Sequence, residues 1–159
     1  PALADTGPIL DGGNDMRLTT RTNLAMRVLM YCAANPGRTA RKQEIAEVCN
    51  ASENHLAQVI HLLGKKGFIK TQRGRLGGLT LAHAPEDIRI GTVFRSLESV
   101  LPFAECFAAE KNTCPLAGVC RLQCVMVEAL DAFYARLDQS TLADLVSGNG
   151  SLQKLLKAA

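Results

Sequence analysis

Two short helical segments joined by a tight turn are the feature that most constrains how this chain can fold. The first predicted helix spans residues 41–49, the turn is Asn50-Ala51, and Ser52 is a suitable N-cap for a second helix that runs to about Lys66. Apolar residues recur every three or four positions in the second segment, and polar residues occupy its opposite face. This pattern predicts a helix-turn-helix whose second helix presents a polar face to a partner.

A glycine-rich hairpin is predicted directly after this second helix. Residues 68–72 and 79–82 are typical of two short strands, and the segment between them reads Arg-Gly-Arg-Leu-Gly-Gly. The glycines allow a tight loop to approach another backbone closely, and Arg73 and Arg75 make that loop positive. A hairpin in this position is the wing of a winged helix, so residues 16–85 are predicted to form a winged helix-turn-helix domain.

The charge distribution indicates which kind of partner this domain binds. Residues 16–85 carry eleven Lys or Arg against three Glu, whereas residues 86–159 carry seven basic against nine acidic residues. A basic half beside a near-neutral half favours a polyanionic partner, although a solvated basic surface without a partner would have the same composition. Aromatic residues make up only 4% and Trp is absent, which argues against binding of single strands by base stacking.

Together these features predict double-stranded DNA as the partner. Short polar side chains on the second helix are suited to base edges in the major groove, and the wing arginines are suited to phosphates or the minor groove. The candidate DNA-binding residues are Arg17, Arg41, Ser52, Asn54, His55, Gln58, Arg73, Arg75, Gly77 and Gly78. The alternative is a winged helix that binds another protein.

The remaining segments complete a mainly α-helical fold with one small β-hairpin. Residues 1–15 are rich in Pro, Gly and Asp and are expected to be a disordered extension or a cloning scar. Further helices are predicted over residues 20–34, 90–99 and 119–137, with a last helix that begins near Thr141. The long third one has apolar residues at three- and four-residue spacing. This spacing predicts pairing with a second copy as a dimerisation helix, and a core helix of a monomer is the alternative.

Four of the six cysteines lie close together in residues 86–159, which are expected to hold a linker helix, a cysteine loop and the dimerisation helix. Cys106, Cys114 and Cys120 are separated by seven and five residues in an irregular segment. Three thiols in one loop are typical of zinc or iron–sulfur ligands, and ordinary buried thiols are the alternative. Cys124 lies one helical turn after Cys120, either as a fourth ligand or as an apolar residue of the helix.

The sequence favours a reducing, cytoplasmic location. No apolar run approaches the roughly 18 residues of a membrane span, and no secretory signal pattern is present. Clustered cysteines in a reducing compartment indicate metal ligands rather than disulfides. Cys32 and Cys49 fall on inward helix faces and are expected to be core residues. No paired carboxylates, nucleophile–base set or phosphate-binding loop suggests catalysis, so the chain is not expected to be an enzyme.

These motifs resemble a known family, the iron–sulfur winged-helix repressors of the IscR, RirA and NsrR types. The resemblance runs from Met16 to about Leu156. It is carried by Met-Arg-Leu-Thr at 16–19, residues 52–56, the wing at 73–78, Glu105-Cys106-Phe107, residues 112–115 and residues 141–146. The chain looks most like the nitric-oxide-sensing NsrR type, with the iron-responsive RirA type as the runner-up. The IscR type, which reports cluster status, fits less well because Gln123 stands where it has a ligand histidine.

The resemblance implies a homodimeric repressor that binds a pseudo-palindromic DNA operator. It implies an iron–sulfur cluster, 4Fe–4S or 2Fe–2S, on Cys106, Cys114 and Cys120, and release of the DNA when nitric oxide damages that cluster. Some NsrR-type proteins add an Asp ligand from the first helix of the other subunit, and the matching residue here is Asn23. The fourth ligand could thus be Asn23, Cys124 or absent, and a zinc-stabilised winged-helix regulator remains the alternative to a cluster protein.

Overall fold

The computed structural model describes residues 18–74, 77–98, 104–108 and 112–157. Its elements are α1 (Thr20–Ala34), α2 (Lys42–Val48), α3 (Glu53–Lys65), β1 (Ile69–Gln72), β2 (Gly78–Leu81), α4 (Ile90–Glu98), α5 (Arg121–Asp138), α6 (Leu142–Val146) and α7 (Gly150–Leu156), with short 3-10 turns at Pro85–Asp87 and Glu105–Phe107. The predicted mainly helical fold with one antiparallel hairpin is confirmed. Residues 1–15, Arg17 and Arg75 lie outside the described residues.

Helix α1 forms the centre of the core. Thr19 caps its start by accepting a hydrogen bond from the Thr22 N–H at 3.2 Å, and Asn35 caps its end before Pro36-Gly37. The helical spacing of Leu24, Val28, Leu29 and Cys32 predicts one inward-facing stripe, and all four residues are buried. The helix packs against α3, β2, α4, α6 and α7. It therefore joins the helix-turn-helix to the C-terminal part of the chain.

Helices α2 and α3 form the predicted helix-turn-helix. Asn50 adopts a left-handed conformation in the turn, with φ of 46°, which Asn tolerates better than most residues. Arg27 of α1 donates to the Cys49 carbonyl at 2.9 Å and so fixes the end of α2. Leu56 and Leu63 of α3 are fully buried, so its apolar face lies in the core as predicted.

The helical spacing of Ile45, Val48 and Cys49 predicts that all three point inward, and for Val48 this prediction is wrong. Val48 is 39% exposed, whereas Ile45, Ala46 and Cys49 are buried. These three residues define the buried direction of α2, and Val48 lies about 100° around the helix from it. A seven-residue helix buries a narrow stripe, and three-residue spacing alone does not determine which edge of that stripe is covered.

The hairpin pairs Ile69 with Leu81 and Gln72 with Gly78. Ala40 extends this small sheet, because Ala40 and Leu79 exchange two backbone hydrogen bonds of 2.9 Å. A Cβ atom on Gly78 would meet the Ala40 carbonyl oxygen, so glycine is required where the two backbones approach. This contact holds the wing against the segment that precedes α2.

An ion pair fastens α4 to the end of α5. The Arg95 guanidinium binds both carboxylate oxygens of Asp138 and lies 4.7 Å from the centre of the Tyr134 ring. The hydrogen bonds from Arg95 lower the pKa of Asp138 below its usual range. Gly91 lies so close to Asp138 that a Cβ atom there would meet the carboxylate. The contact fixes α5 relative to the buried face of α4.

The single last helix predicted from Thr141 is two helices. Thr141 and Asp144 form a capping box at the start of α6, as the sequence Thr-Leu-Ala-Asp predicts. The helix stops after Val146 because Gly148 adopts a left-handed φ of 75°. Asn149 then caps α7, with its side-chain oxygen 3.0 Å from the Leu152 nitrogen.

Helix α5 has two apolar faces and no fully buried residue. Its half-buried apolar positions are Met126, Leu130, Tyr134 and Leu137, and Tyr134 and Leu137 pack against the core. A second, exposed row follows the helix at spacings of three and four, and we call it the outer stripe: Leu122, Val125, Ala129 and Phe133. Phe133 ends this row beside α4, with its ring centre 6.3 Å from that of Phe94. In the part of the chain that the structure describes, no helix is long and apolar enough to cross a membrane.

Candidate nucleic-acid interface and cysteine loop

The outward face of α3 carries the predicted base-reading residues. Asn54, His55 and Gln58 are all exposed. The Ser52 hydroxyl accepts a hydrogen bond from the His55 N–H at 3.3 Å, so Ser52 serves as the helix cap here. The Asn54 and Gln58 amides each offer one acceptor and two donors, a combination that matches adenine in the major groove.

The wing loop is shaped by its glycines. Gly74 has a φ of 109°, and the Gly77 N–H donates to the Gly74 carbonyl at 2.8 Å to close the turn. A Cβ atom on Gly77 would meet the backbone of Gln72 and Gly74. Close packing inside the protein therefore explains the glycines at 77 and 78. Their contact with DNA stays a prediction. Arg73 is exposed at the start of this loop.

Three segments of the chain carry the candidate ligand cysteines. Cys106 lies in the 3-10 turn Glu105–Phe107, Cys114 follows Thr113, and Cys120 is the N-cap of α5. The Glu105 carboxylate accepts hydrogen bonds from the Thr113 backbone N–H at 2.7 Å and from its hydroxyl. These two bonds lower the pKa of Glu105.

A further bond joins the first segment to α5. The Gln123 side-chain amide donates to the Cys106 carbonyl at 2.8 Å. The Cys114 N–H also donates to the Asn112 side-chain oxygen at 3.0 Å, which holds the backbone of the second segment. The structure therefore brings together the three cysteine segments that the sequence singled out.

The thiols in this loop are free and half-buried. Among the described ranges, no three His, Cys, Asp or Glu side chains converge as a metal ion would require. The structure thus juxtaposes the segments of Cys106, Cys114 and Cys120 without bringing their sulfur atoms to one point. Cys124 is exposed on α5, and Asn23 is exposed in the first turns of α1.

The other two cysteines are core residues. Cys32 and Cys49 are buried, at 7% and 5% exposure. Burial raises the pKa of Cys32 to about 12 and also raises the pKa of Cys49. Both thiols therefore stay protonated at neutral pH and are poor metal ligands.

A positive wing beside a polar reading helix, joined to a cysteine loop, has counterparts among known proteins. Residues 18–148 match the model of the family Rrf2, iron-dependent transcriptional regulators. The chain belongs to the Rrf2 family. It is 46% identical over 143 residues to the HTH-type transcriptional regulator NsrR of Bacillus subtilis, covering 89% of this chain and 98% of that protein. The NsrR regulator of Geobacillus kaustophilus is also 46% identical, over 89% of this chain and 97% of its own length.

Solved structures agree with the placement in the Rrf2 family. IscR of T. potens superposes with a TM-score of 0.71 at 27% identity, covering 93% of this chain and 96% of that one. CymR, the global cysteine regulator of B. subtilis, superposes with a TM-score of 0.65 at 26% identity, over 83% of this chain and 97% of that one. The Rrf2 chain is therefore a winged-helix DNA-binding transcriptional regulator, and its relatives are regulators rather than enzymes.

Sequence patterns missed the contacts that organise the cysteine loop of this Rrf2 protein. Glu105 and Thr113 each directly precede a cysteine, and Gln123 lies three residues after another. Nothing in their spacing identifies them as hydrogen-bonding partners, because the pairing depends on how the loop folds back on α5. Proximity to the cysteines was the only available signal.

Proposed function

We propose that this protein is a transcriptional repressor that senses nitric oxide through an iron–sulfur cluster held by Cys106, Cys114 and Cys120. The observation that carries the proposal is the hydrogen-bonded juxtaposition of the three cysteine segments beside a DNA-binding fold. The donor set fits the group, because three free thiols are the ligands that iron–sulfur clusters take. The relatives named NsrR support the choice of signal.

The chain's own residues account for DNA binding. The exposed side chains of α3 enter a major groove and read base edges through Asn54 and Gln58, with His55 beside them. Arg73 contacts phosphates from the wing, and Arg41 does so from the start of α2, since both are exposed on the basic domain. Arg17 and Arg75 are proposed to contribute in the same way on the basis of charge alone.

A homodimer places two reading helices on the halves of a pseudo-palindromic operator. The outer stripe of α5 is the proposed dimer contact, because its apolar side chains are exposed along the length of the helix. Arg95 and Asp138 fix α5 to α4, and α4 packs on α1. The relative position of the two reading helices therefore depends on how α5 and the loop before it are held.

The cluster would supply iron that reacts with nitric oxide and, while bound, a link between the cysteine segments. When the three thiols no longer share that link, the bonds of Glu105, Thr113 and Gln123 remain to join the described segments of the loop. A looser loop then changes the spacing between the winged helix-turn-helix domains of the two subunits, and the operator is released. A tenfold change in operator affinity requires a preference of only about 1.4 kcal/mol for one state.

The decisive experiment is anaerobic purification followed by spectra and operator binding before and after nitric oxide. We expect visible cluster absorbance, tight binding before treatment, and loss of both afterwards. Iron and sulfide analysis separates a cluster from structural zinc. Colourless, iron-free protein that still binds its operator with full selectivity would contradict the proposal.

An iron-responsive regulator is the second candidate, because the family description is iron-dependent transcriptional regulation. This candidate predicts the same cluster absorbance, but the molecule that it senses is iron rather than nitric oxide. Operator binding would then fall on iron chelation and stay unchanged under a stoichiometric dose of nitric oxide. The same preparation distinguishes the two functions.

Replacing Arg73 with alanine is expected to weaken operator binding and to reduce the slope of log K against log salt by about 1. The reason is the loss of one phosphate contact from the wing. Fluorescence anisotropy at several salt concentrations measures both quantities. Lys154→Ala, which removes the same charge from an exposed position of α7, is the matched control and should change neither. Equal binding by Arg73→Ala would remove the wing from the interface.

Replacing Cys124 with alanine is expected to leave the cluster absorbance and iron content unchanged. Cys124 is exposed on α5, and alanine preserves the helix there. The fourth position is then Asn23 or open. Asn23→Asp supplies a carboxylate and should slow iron loss to a chelator if Asn23 lies at the site. Loss of the cluster in Cys124→Ala would instead make Cys124 the fourth ligand.

A further inference from the structure

The three cysteine segments are joined by side-chain hydrogen bonds that use no sulfur atom. Glu105 binds the backbone N–H and the hydroxyl of Thr113, and Gln123 binds the carbonyl of Cys106. The first pair of bonds links the turn Glu105–Phe107 to the segment of Cys114. The third bond links that turn to α5, which follows Cys120. Every segment is thereby tied to a neighbour while its thiol stays free.

The bonded atoms lie close to each ligand along the chain. Glu105 and Thr113 directly precede Cys106 and Cys114, so the bond between them restrains both Cα positions. Gln123 acts on the Cys106 backbone itself. Ordering a loop residue costs about 1–2 kcal/mol of backbone entropy, so a loop that is ordered beforehand binds a metal centre more tightly.

We propose that Glu105, Thr113 and Gln123 are positioning residues that hold the cysteine segments together before any metal binds. This inference rests on the proposed function, since it assigns Cys106, Cys114 and Cys120 as the ligands. The chain assembles the backbone of the loop first, and a metal centre then draws in only the thiols. The Gln123 side chain binds the backbone carbonyl of Cys106. In the IscR type, by the resemblance noted above, a histidine at this position is a cluster ligand.

The test uses metal-free full-length protein and cobalt(II) as the probe, because cobalt–thiolate absorbance reports ligation directly. We expect Glu105→Ala and Gln123→Leu each to weaken cobalt(II) binding by 10- to 100-fold, the usual effect of removing a residue that supports a metal ligand. Glu105→Gln keeps a side-chain oxygen acceptor and should recover most of the affinity. Glu128→Ala, an exposed residue of α5, is the matched control and should bind like wild type.

Amide hydrogen exchange on the same metal-free proteins gives a second, independent measurement. The Thr113 N–H should exchange slowly in wild type and at least tenfold faster in Glu105→Ala, because its acceptor has been removed. Thr113→Val keeps that N–H and loses only the hydroxyl, so it should show an intermediate cobalt(II) affinity. Circular dichroism confirms that each variant retains its helices.

The inference is overturned if folded Glu105→Ala and Gln123→Leu bind cobalt(II) as wild type does, or if Thr113 exchange is the same in wild type and Glu105→Ala. Wild type without cobalt–thiolate bands would also overturn it. The proposed function fails separately: wild-type protein would bind cobalt(II) as expected yet assemble no iron–sulfur cluster from iron and sulfide, and the positioning role would then stand for another metal.

Discussion

Replacing Cys114 with serine is expected to remove all visible absorbance of the proposed cluster. Operator affinity should fall at least tenfold, to that of metal-free wild type. A thiol has an ordinary pKa of about 8.5 and ionises readily near a metal, whereas a serine hydroxyl does not. The Cys114 backbone N–H is bound to Asn112, and serine retains that bond. The substitution therefore changes the ligand atom with little effect on the loop.

The measurement is absorbance and operator binding of anaerobically reconstituted protein. Cys32→Ala is the control, because it removes a sulfur whose pKa is raised to about 12 by burial and which is no thiolate at neutral pH. That variant should keep the full spectrum. Should Cys114→Ser keep it as well, Cys114 is not a ligand and the assignment of the loop fails.

Local signals predicted most of the reading domain. Helix α1 begins and ends where the sequence indicated, because Thr19 caps its first turn and Asn35 with Pro36-Gly37 ends it. Ser52 caps α3 as expected. These signals act within a few residues, so the sequence alone contains them.

Contacts between distant residues were beyond such reasoning. Ala40 pairs with β2, although a single alanine before α2 gives no sign of a strand partner. The apolar positions of α5 were predicted as one stripe, yet Leu130 is half-buried and Val125 is 60% exposed. Helical periodicity identifies apolar positions, and only the neighbouring elements decide which of them are covered.

In the cysteine loop, too, local signals were predictable and contacts between distant residues were not. The spacing of Cys106, Cys114 and Cys120 predicted a shared site, because thiols in one irregular loop are typical metal ligands. The bonds from Glu105 and Gln123 that join their segments arise from the fold of the loop on α5. The candidate ligands were visible in the sequence, and the residues that hydrogen-bond their segments were not.

Replacing Val125 with glutamate is expected to convert the proposed dimer into monomers and to weaken operator binding at least 100-fold. Val125 lies in the centre of the outer stripe and is 60% exposed in the single chain. The substitution should therefore change the stability of the subunit by no more than about 0.5 kcal/mol, as is usual for surface positions. In a dimer the same carboxylate would be buried beside its symmetry mate without a partner, which is strongly unfavourable.

The loss of DNA affinity follows from the loss of pairing. Once one winged helix-turn-helix domain of a dimer is bound, the other meets the second half-site at a high effective concentration. Such linkage commonly raises affinity by about 10²–10⁴-fold over a single domain. A monomer loses that factor while its α3 and wing stay intact. Sedimentation measures the assembly, and anisotropy on full and half operators measures affinity; the variant should bind both DNAs alike.

Ala135→Glu is the matched control, because Ala135 is exposed on α5 away from the outer stripe, on the same side as Glu128 and Asp131. It introduces the same charge into the same helix and should remain dimeric with wild-type affinity. A dimeric Val125→Glu would place the contact elsewhere. A monomeric variant that still binds the full operator with wild-type affinity would show that pairing through α5 does not set the spacing of the reading helices, and the route from the cysteine loop to DNA would then run within one subunit.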